Sequence, residues 1–271
     1  YMWTNKYVVE SPLAKAESVS DIESYSGWPS SDWWDYSEIA RQCLAYPNHA
    51  VVNKGDRLDR TAQLKPMMYL RGMEQIYIDL VENSSLVEAM IEHIKDYYLR
   101  YNERVFKAIQ GKADIFMMGD DFGTQNGPMI SRDMWRKYFR KGFREYVDLA
   151  HKYGLRVMHH SCGSVKYLME EFIDAGLDIL QALQPRARDM DLRELKRAYG
   201  SHIVFHGSMD IQQTLPRGTP KDVREEVKKR MDAGKAGGGF IICTAHNILP
   251  DTPTENIVAL FEAYKEYGIG S

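Results

Sequence analysis

Residues 157–164 read Val-Met-His-His-Ser-Cys-Gly-Ser, an apolar run that changes into side chains able to bind metal and then meets a glycine. Side chains two positions apart on a strand point to the same face, so His160 and Cys162 are expected on one side. Imidazole nitrogen and thiolate sulfur are both zinc ligands. Such residues at a strand end are also often only ordinary residues at the rim of a sheet, held by hydrogen bonds. A metal site therefore requires a third ligand from elsewhere in the chain.

Short apolar segments alternate with helical segments on both sides of this stretch. Residues 85–109 predict a long helix, because Leu86, Met90 and Ile94 begin an apolar series with helical spacing. Further helices are predicted from Ser131 to Gly154, from Ser164 to Gly176, near residues 191–199, from Thr219 onward, and over Thr254–Tyr267. Candidate strands lie near residues 51, 68, 116, 157, 179, 204 and 241. Because parallel neighbours need crossover connections, this alternation predicts an α/β protein with a parallel sheet.

Polar residues lie at the end of nearly every later strand. Their placement favours a closed barrel over an open doubly wound sheet, which are the two parallel architectures compatible with the strand count. The pairs are Asp120 and Asp121, His160 and Cys162, Gln181 and Gln184, His206 and Asp210, and Cys243 and His246. An open sheet would concentrate such residues at one switch point, whereas a barrel brings all its carboxyl ends to one mouth. We therefore predict a (β/α)8 TIM barrel whose first strand is absent or lies upstream of Tyr1.

The composition indicates one soluble globular domain over residues 1–271, with 44% hydrophobic and 27% charged residues. The barrel is expected over residues 49–271. Residues 1–48 form an irregular aromatic-rich segment, which is either a lid over an apolar ligand or a surface segment pinned by its rings. This segment contains four of the five tryptophans, namely Trp3, Trp28, Trp33 and Trp34.

Charge and cysteine content exclude several partners and predict a compartment. A formal charge of −3 gives no electrostatic footprint for nucleic acid. No apolar run approaches the roughly 20 residues of a membrane span, and the start has no signal-peptide pattern. Three cysteines, Cys43, Cys162 and Cys243, indicate free thiols in a reducing compartment. We expect a cytoplasmic protein without membrane contact, whose sequence is a fragment or a processed chain because it begins with Tyr1.

The third metal ligand is expected from the end of the last strand. In a barrel, Cys243 or His246 can join His160 and Cys162 at the mouth, and three protein ligands with one open position are typical of catalytic zinc. Our choice for the third ligand is Cys243, although a cysteine in an apolar strand is usually a small core residue. Asp120 and Asp121 are read either as acid–base or substrate-anchoring groups or as a solvated pair that caps the next segment.

Four segments resemble the uroporphyrinogen decarboxylase superfamily. They are residues 120–125 (Asp-Asp-Phe-Gly-Thr-Gln), 160–164 (His-Ser-Cys-Gly-Ser), 207–212 (Gly-Ser-Met-Asp-Ile-Gln) and 246–253 (His-Asn-Ile-Leu-Pro-Asp-Thr-Pro). The resemblance implies a (β/α)8 barrel that is either a haem-pathway decarboxylase or a cobalamin-dependent methyltransferase. In the methyltransferase branch, a His-x-Cys pair and a later cysteine bind zinc. His160 and Cys162 match that pair, and the later cysteine aligns with either Cys243 or His246.

The resemblance implies a zinc-dependent methyltransferase that moves a methyl group between a corrinoid and a thiol or folate acceptor. Asp120 and Asp121 would orient substrate or relay a proton, and His246 would act as an acid or a further ligand. The remaining polar residues are assigned to substrate binding: Gln125, Gln184, His206 and Asp210. The expected partners are a corrinoid protein or free cobalamin, a small methyl acceptor, and a second copy of the chain in a homodimer.

Two other functions stay open. The first is a metal-free decarboxylase that acts on uroporphyrinogen. His246 resembles a site histidine of that branch, but its arginine-rich amino-terminal motif is not visible in this sequence. The second is a non-catalytic barrel that binds a corrinoid or a tetrapyrrole without turnover.

Overall fold

The structure is a computed structural model that describes residues 10–54 and 60–268. Trp3 lies outside the described residues. Contacts group the chain into two compact units. Unit 1 comprises the residues up to Asp120 together with Asp133–Arg156, and unit 2 comprises Asp121–Arg132 together with the residues from Val157 onward. The expectation of one domain over residues 1–271 stays a prediction.

The described residues contain six strands, and every strand pairing within a unit is parallel. They are β1 (Val52–Asn53), β2 (Ile115–Gly119), β3 (Arg156–His160), β4 (Ile179–Leu183), β5 (Val204–Met209) and β6 (Phe240–Thr244). In unit 1, β1 pairs with β2, and an isolated parallel bridge joins Thr61 to Met118. In unit 2, β3 pairs with β4, β4 with β5 and β5 with β6. The predicted parallel α/β class is confirmed.

Twelve α-helices accompany these strands in the described part of the chain. They are α1 (Val19–Glu23), α2 (Ile39–Leu44), α3 (Leu64–Arg71), α4 (Met73–Glu82), α5 (Ser84–Ile109), α6 (Arg132–Tyr138), α7 (Arg140–Lys152), α8 (Met169–Asp174), α9 (Leu192–Tyr199), α10 (Thr214–Arg217), α11 (Pro220–Gly234) and α12 (Thr254–Tyr267). Short 3-10 helices span Ser31–Trp33 and Lys166–Leu168. Among the described helices, none has the length and apolar character needed to cross a membrane.

Each unit has its own apolar core. In unit 1, α5 buries the series that the sequence predicts, including Leu86, Met90 and Ile94. In unit 2, α11 begins with a capping box between Thr219 and Asp222, which satisfies amides at the start of the helix. The apolar faces of α11 and α12 then pack with the end of β5. The burial therefore follows the helical periodicity read from the sequence.

The strand predicted near residue 68 is wrong, because this segment forms the helix α3. Leu64, Met67 and Arg71 are its buried residues, and their spacing of three and four positions is helical. A run of four apolar residues does not distinguish a strand from a buried helix turn. The residue that bridges to β2 is Thr61, just before α3 begins.

Two predicted helices differ in detail from the structure. The segment after Ser131 forms two helices, α6 and α7, which are separated at Phe139. The segment after Ser164 forms a 3-10 turn before α8. The described part of residues 1–48 contains α1, α2 and one 3-10 helix, so it has more regular structure than the sequence indicates.

Candidate metal centre

His160 and Cys162 lie side by side at the end of β3. The Cys162 Sγ atom is 3.2 Å from His160 Nε2. The other ring nitrogen of His160, Nδ1, hydrogen-bonds to the side-chain oxygen of Gln181 on β4. Because Gln181 offers an acceptor there, Nδ1 carries the proton and Nε2 keeps its lone pair on the side of Cys162. The predicted shared face of these two residues is present, and a neighbouring strand orients the imidazole.

His246 completes a group of three residues. One ligand atom each from His160, Cys162 and His246 lies within 4.8 Å of the other two. The rings of His160 and His246 have centroids 5.9 Å apart and an interplanar angle of 70°. Ligand atoms around a tetrahedral zinc ion are separated by about 3.3–3.6 Å, given the usual Zn–N and Zn–S bond lengths. The spacing of His160 Nε2 and Cys162 Sγ is close to this range, so the donor set of two imidazoles and one thiol fits a zinc ion.

Cys243, our choice for the third ligand, is not part of this group. Its Sγ atom lies 3.3 Å from Nδ1 of His206, on the neighbouring strand β5. Burial raises the pKa of the Cys243 thiol to about 12, so the thiol stays protonated at neutral pH. Burial also lowers the pKa of His206. His246, in the loop that follows β6, lies with His160 and Cys162, whereas Cys243 does not. We therefore propose His246 as the third ligand in place of Cys243.

Asp121 connects the loop after β2 to the candidate ligands. Its carboxylate accepts a hydrogen bond from the backbone N–H of Cys162 at 2.8 Å and lies 3.6 Å from His160 Nε2. One residue further on, the backbone N–H of Phe122 donates to the hydroxyl of Ser161 at 3.1 Å. Two hydrogen bonds thus hold this loop against the segment that carries His160 and Cys162. The predicted role of Asp121 in acid–base chemistry or substrate anchoring stays a prediction.

Asp120 has a different position, because neighbouring residues in an extended segment point in opposite directions. Its buried carboxylate accepts hydrogen bonds from three consecutive backbone N–H groups, those of Gln63, Leu64 and Lys65. These are the amides at the start of α3, which have no carbonyl partner within the helix. Asp120 therefore caps the start of α3, an earlier helix, and is buried, which differs from the solvated cap of the next segment that the sequence offered as an alternative. A catalytic role for Asp120 stays a prediction.

A glycine sets the turn that follows Cys162. Gly163 has φ +79°, in the left-handed region, and a Cβ atom there would lie 2.4 Å from the carbonyl oxygen of Gly123. The backbone N–H of Ser164 then donates to the Thr124 carbonyl at 2.8 Å. Only glycine fits this close approach of two backbone segments. The glycine after the His-x-Cys pair therefore allows the turn that keeps Cys162 next to the loop of Asp121.

Gln125 and Gln184 contact each other. The side-chain amide of Gln125 donates to Gln184 Oε1 at 2.6 Å, and the same oxygen accepts from the backbone N–H of Gly163 at 3.2 Å. Gln184 thus supports the turn after Cys162. Its predicted role in substrate binding, and that of Gln125, stay predictions.

Asp210, at the end of β5, is held by local contacts. One carboxylate oxygen accepts from the backbone N–H groups of Gln212 and Gln213, at 2.7 and 3.3 Å. The other oxygen lies 3.4 Å from a guanidinium nitrogen of Arg186. These contacts explain how a carboxylate that is only 4% exposed is compensated. Substrate binding by Asp210 and by His206 stays a prediction.

Two site residues were given no role from the sequence. Gln181 supports His160, and it is the single polar residue in the five-residue strand β4. Gln181 is among the polar strand-end residues that the sequence singles out, but nothing local indicates its contact with His160. Arg186 follows Pro185 in a loop, and nothing local indicates its pairing with Asp210. His159 faces the other way from His160 and packs between the rings of Phe122 and Phe172.

Comparison with known proteins gives the family. The family model described as uroporphyrinogen decarboxylase (URO-D) matches residues 61–267. The chain belongs to the uroporphyrinogen decarboxylase family. A solved methyltransferase from Methanosarcina mazei superposes with a TM-score of 0.67 at 18% identity, over 85% of this chain and 63% of that chain. This family member therefore shares its fold with that methyltransferase, in agreement with a TIM-barrel-like architecture.

Relatives of this family member fall into both branches. A methylcobamide:CoM methyltransferase of M. mazei is 24% identical over 192 residues, which are 70% of this chain and 52% of that protein. A methylated-thiol–coenzyme M methyltransferase of M. mazei is 22% identical over 206 residues, 76% of this chain and 52% of that protein. A uroporphyrinogen decarboxylase of Coxiella burnetii is 22% identical over 161 residues, 59% of this chain and 43% of that protein. The chain spans about half the length of the curated relatives it matches.

Proposed function

We propose that this family member is a methyltransferase that binds zinc through His160, Cys162 and His246 and moves a methyl group between a corrinoid and a thiol acceptor. The observation that carries the proposal is the grouping of these three donor residues within 4.8 Å in unit 2. Two of the relatives are named as methyltransferases of coenzyme M, one of them with a methylcobamide as the methyl donor. The proposal extends these activities to a chain that covers only part of each relative.

In this proposal, some residues of the site bind the metal ion and others orient its ligands or accept a proton. Three protein ligands leave one position of a tetrahedral set open to an acceptor. A bound zinc ion would supply Lewis-acid stabilisation of the acceptor's thiolate form. Gln181 holds His160 in the tautomer whose Nε2 can bind a cation. Asp121 lies 3.6 Å from that nitrogen and has the position to accept the proton that a thiol loses.

The proposal also assigns finer features of the expected protein. In it, the chain has the closed (β/α)8 barrel fold that the family resemblance implies. The corrinoid is either free cobalamin or carried by a corrinoid protein, as the sequence resemblance implies. A homodimer and a cytoplasmic location stay predictions.

The metal content of the purified, reduced chain tests the proposal first. We expect about one zinc per chain after mild chelator washing, and loss of this zinc in the double variant His160→Ala with Cys162→Ala. The matched control is the double variant His151→Ala with Cys43→Ser, which removes one histidine and one cysteine outside the group. Zinc retained by the first variant, or no zinc in the reduced wild type, would contradict the proposal.

The identity of the third ligand needs a direct comparison of two single variants. We expect His246→Ala to lose zinc and Cys243→Ala to keep it, because only His246 lies with the other two donors. The opposite pattern would restore Cys243 as the ligand. Methyl transfer from methylcobalamin to coenzyme M, measured by the corrinoid absorbance, then tests the reaction itself.

Uroporphyrinogen decarboxylation is the second candidate function, and the decarboxylase relatives favour it. Its test is the consumption of uroporphyrinogen by metal-stripped chain, followed by chromatography of the porphyrins after oxidation. Turnover that is unchanged in the double variant His160→Ala with Cys162→Ala would support the decarboxylase and contradict the methyltransferase proposal.

A further inference from the structure

Unit 1 contains a cavity of about 330 Å³, and none of the described residues that line it belongs to the candidate metal centre. An apolar cavity of about 150 Å³ holds one benzene ring, so this volume has room for two fused rings. The lining residues that the structure describes are Gly27, Trp28, Pro29, Trp33, Arg60, Ala62, Lys65, Pro66, Tyr69, Leu70, Ile94, Tyr97, Tyr98 and Gly119. Such a mainly apolar and aromatic lining is typical of small-molecule sites.

Five aromatic side chains in the lining favour an aromatic ligand over a saturated one of the same shape. Trp28 and Trp33 come from the aromatic-rich amino-terminal segment, Tyr69 from α3, and Tyr97 and Tyr98 from α5. Aromatic rings attract one another through offset-stacked and edge-to-face contacts, which contribute beyond the area that they bury. One such contact corresponds to about threefold to tenfold in affinity. Three segments of the chain therefore offer ring contacts to a planar ligand.

Two of these rings are fixed by contacts within unit 1. The indole N–H of Trp28 donates to the Ile22 carbonyl at 2.9 Å, and the indole ring stacks on His93 at a centroid distance of 4.5 Å. The hydroxyl of Tyr97 accepts from the indole N–H of Trp34 at 3.1 Å. Because these rings are already held, a ligand that contacts them costs little additional side-chain entropy.

The outer part of the cavity exposes large rings to solvent. Trp33 is 65% exposed and Tyr69 is 44% exposed, whereas Tyr97 and Tyr98 are buried. Exposed apolar surface that continues into a cavity is typical of a ligand site. A ring bound in the cavity would cover part of both exposed side chains. The sequence left open whether the aromatic-rich amino-terminal segment covers an apolar ligand, and this arrangement favours that alternative.

The charges of the lining favour an uncharged ligand. Arg60 and Lys65 each interact with other groups of the protein, so neither is a free positive charge for an anion. The described lining residues include neither aspartate nor glutamate, so a cation finds no carboxylate among them. An ion that leaves water without a partner of opposite charge is strongly destabilised, whereas a neutral ring has no such cost.

We propose that this cavity is a binding site for an uncharged planar aromatic molecule of two fused rings, which contacts the tryptophan and tyrosine side chains of the lining. This inference goes beyond the proposed function, because it assigns a ligand class to unit 1 and requires neither zinc nor methyl transfer. A failure of either proposal is therefore visible without the other.

Calorimetric titration of the full chain with 2-naphthol, whose hydroxyl is protonated at pH 7, tests the site. Three matched probes change one property each: decahydro-2-naphthol is saturated, 2-naphthoate is an anion, and trimethyl(2-naphthyl)ammonium is a cation. We expect one 2-naphthol per chain with a Kd below about 1 mM. The saturated probe should bind about threefold or more weaker and each ion about tenfold or more weaker. A Kd above this limit, or a smaller difference for any of the three probes, would overturn the proposal.

Variants of the exposed rings locate the binding within unit 1. Trp33→Ala and Tyr69→Ala should each weaken 2-naphthol about threefold or more, because each removes a ring contact from the mouth of the cavity. The matched control is Tyr46→Ala, which removes a 60% exposed ring outside the lining and should leave the affinity unchanged. Both lining side chains are exposed, so their removal leaves the buried core in place, and thermal melts check this. Unchanged affinity in either lining variant would refute the location.

Discussion

The hydrogen bond from His160 to Gln181 gives the sharpest test of the proposed metal centre. Gln181 accepts from His160 Nδ1, and His160 Nε2 lies 3.2 Å from the Cys162 sulfur. Replacing Gln181 by Leu removes the acceptor and keeps the size of the side chain. We expect the variant to fold and to bind zinc about 10- to 100-fold more weakly, as is typical when such a partner of a metal-binding histidine is lost.

The loss of zinc affinity is larger than the loss expected for an exposed site. A loss of 10- to 100-fold corresponds to about 1.4–2.8 kcal/mol of binding free energy. His160 is only 3% exposed, so water cannot easily replace the acceptor. A zinc-bound imidazole is the more polarised donor, so its Nδ1–H depends more strongly on the acceptor than that of the zinc-free ring does.

Chelator competition at fixed pH measures the zinc affinity of each variant. Gln181→Glu is the conservative variant: it keeps an acceptor for Nδ1–H and should bind zinc within about threefold of the wild type. Gln212→Leu is the control, because its exposed side chain lies outside the group of ligands. If Gln181→Leu binds zinc as tightly as the wild type while His160→Ala does not bind it, then Gln181 does not orient the ligand and the reasoning is refuted.

Three further predictions concern stability and reactivity. Asp120→Asn should lower the free energy of unfolding in urea by about 1–3 kcal/mol, because three backbone N–H groups at the start of α3 lose a carboxylate acceptor. The control is Asp133→Asn, at an exposed position, which should change the free energy of unfolding by less than about 0.5 kcal/mol. Burial would raise the pKa of Asp79, but hydrogen bonds from Arg71 and two amides outweigh it and hold the pKa below its usual value. Asp79→Asn should therefore lower the free energy of unfolding by about 3–5 kcal/mol at pH 7. The difference from the wild type should shrink as the pH falls below about 4, because the wild type loses this contribution when Asp79 is protonated. A difference that stays constant from pH 7 to 3 would contradict this. Burial raises the pKa of the Cys243 thiol to about 12, so at pH 8 it should react with iodoacetamide about a thousandfold more slowly in the native chain than in urea. Peptide mass spectrometry measures the two rates. Equal rates would contradict the burial of this thiol.

The strands of unit 2 could be predicted from sequence because each signal is local. An apolar run of four to six residues ends in a polar residue or a glycine, and a helical pattern follows it. The pairing of His160 with Cys162 follows from the two-residue repeat of a strand, which needs no tertiary information. These features are confirmed because no distant contact competes with them.

Residues 64–71 show where local reasoning ends. Their apolar run is compatible with a strand, and the carboxylate that stabilises the helix start, Asp120, comes from a point more than 50 residues later. Asp120 and Asp121 are alike in sequence, yet one caps α3 and the other contacts Cys162. Only the path of the chain after β2 decides which carboxylate goes to which place.

The choice between Cys243 and His246 has a chemical consequence as well as a geometric one. A set of one histidine and two thiolates would neutralise a divalent cation, whereas two histidines and one thiolate leave a net positive charge. If the proposed zinc is bound, the second set would attract an anionic acceptor more strongly and would lower the pKa of the acceptor's thiol further. The sequence could not separate the two sets, because both residues lie within four positions at the end of β6. The structure favours the more positive set, since Cys243 faces His206 and His246 reaches the other donors.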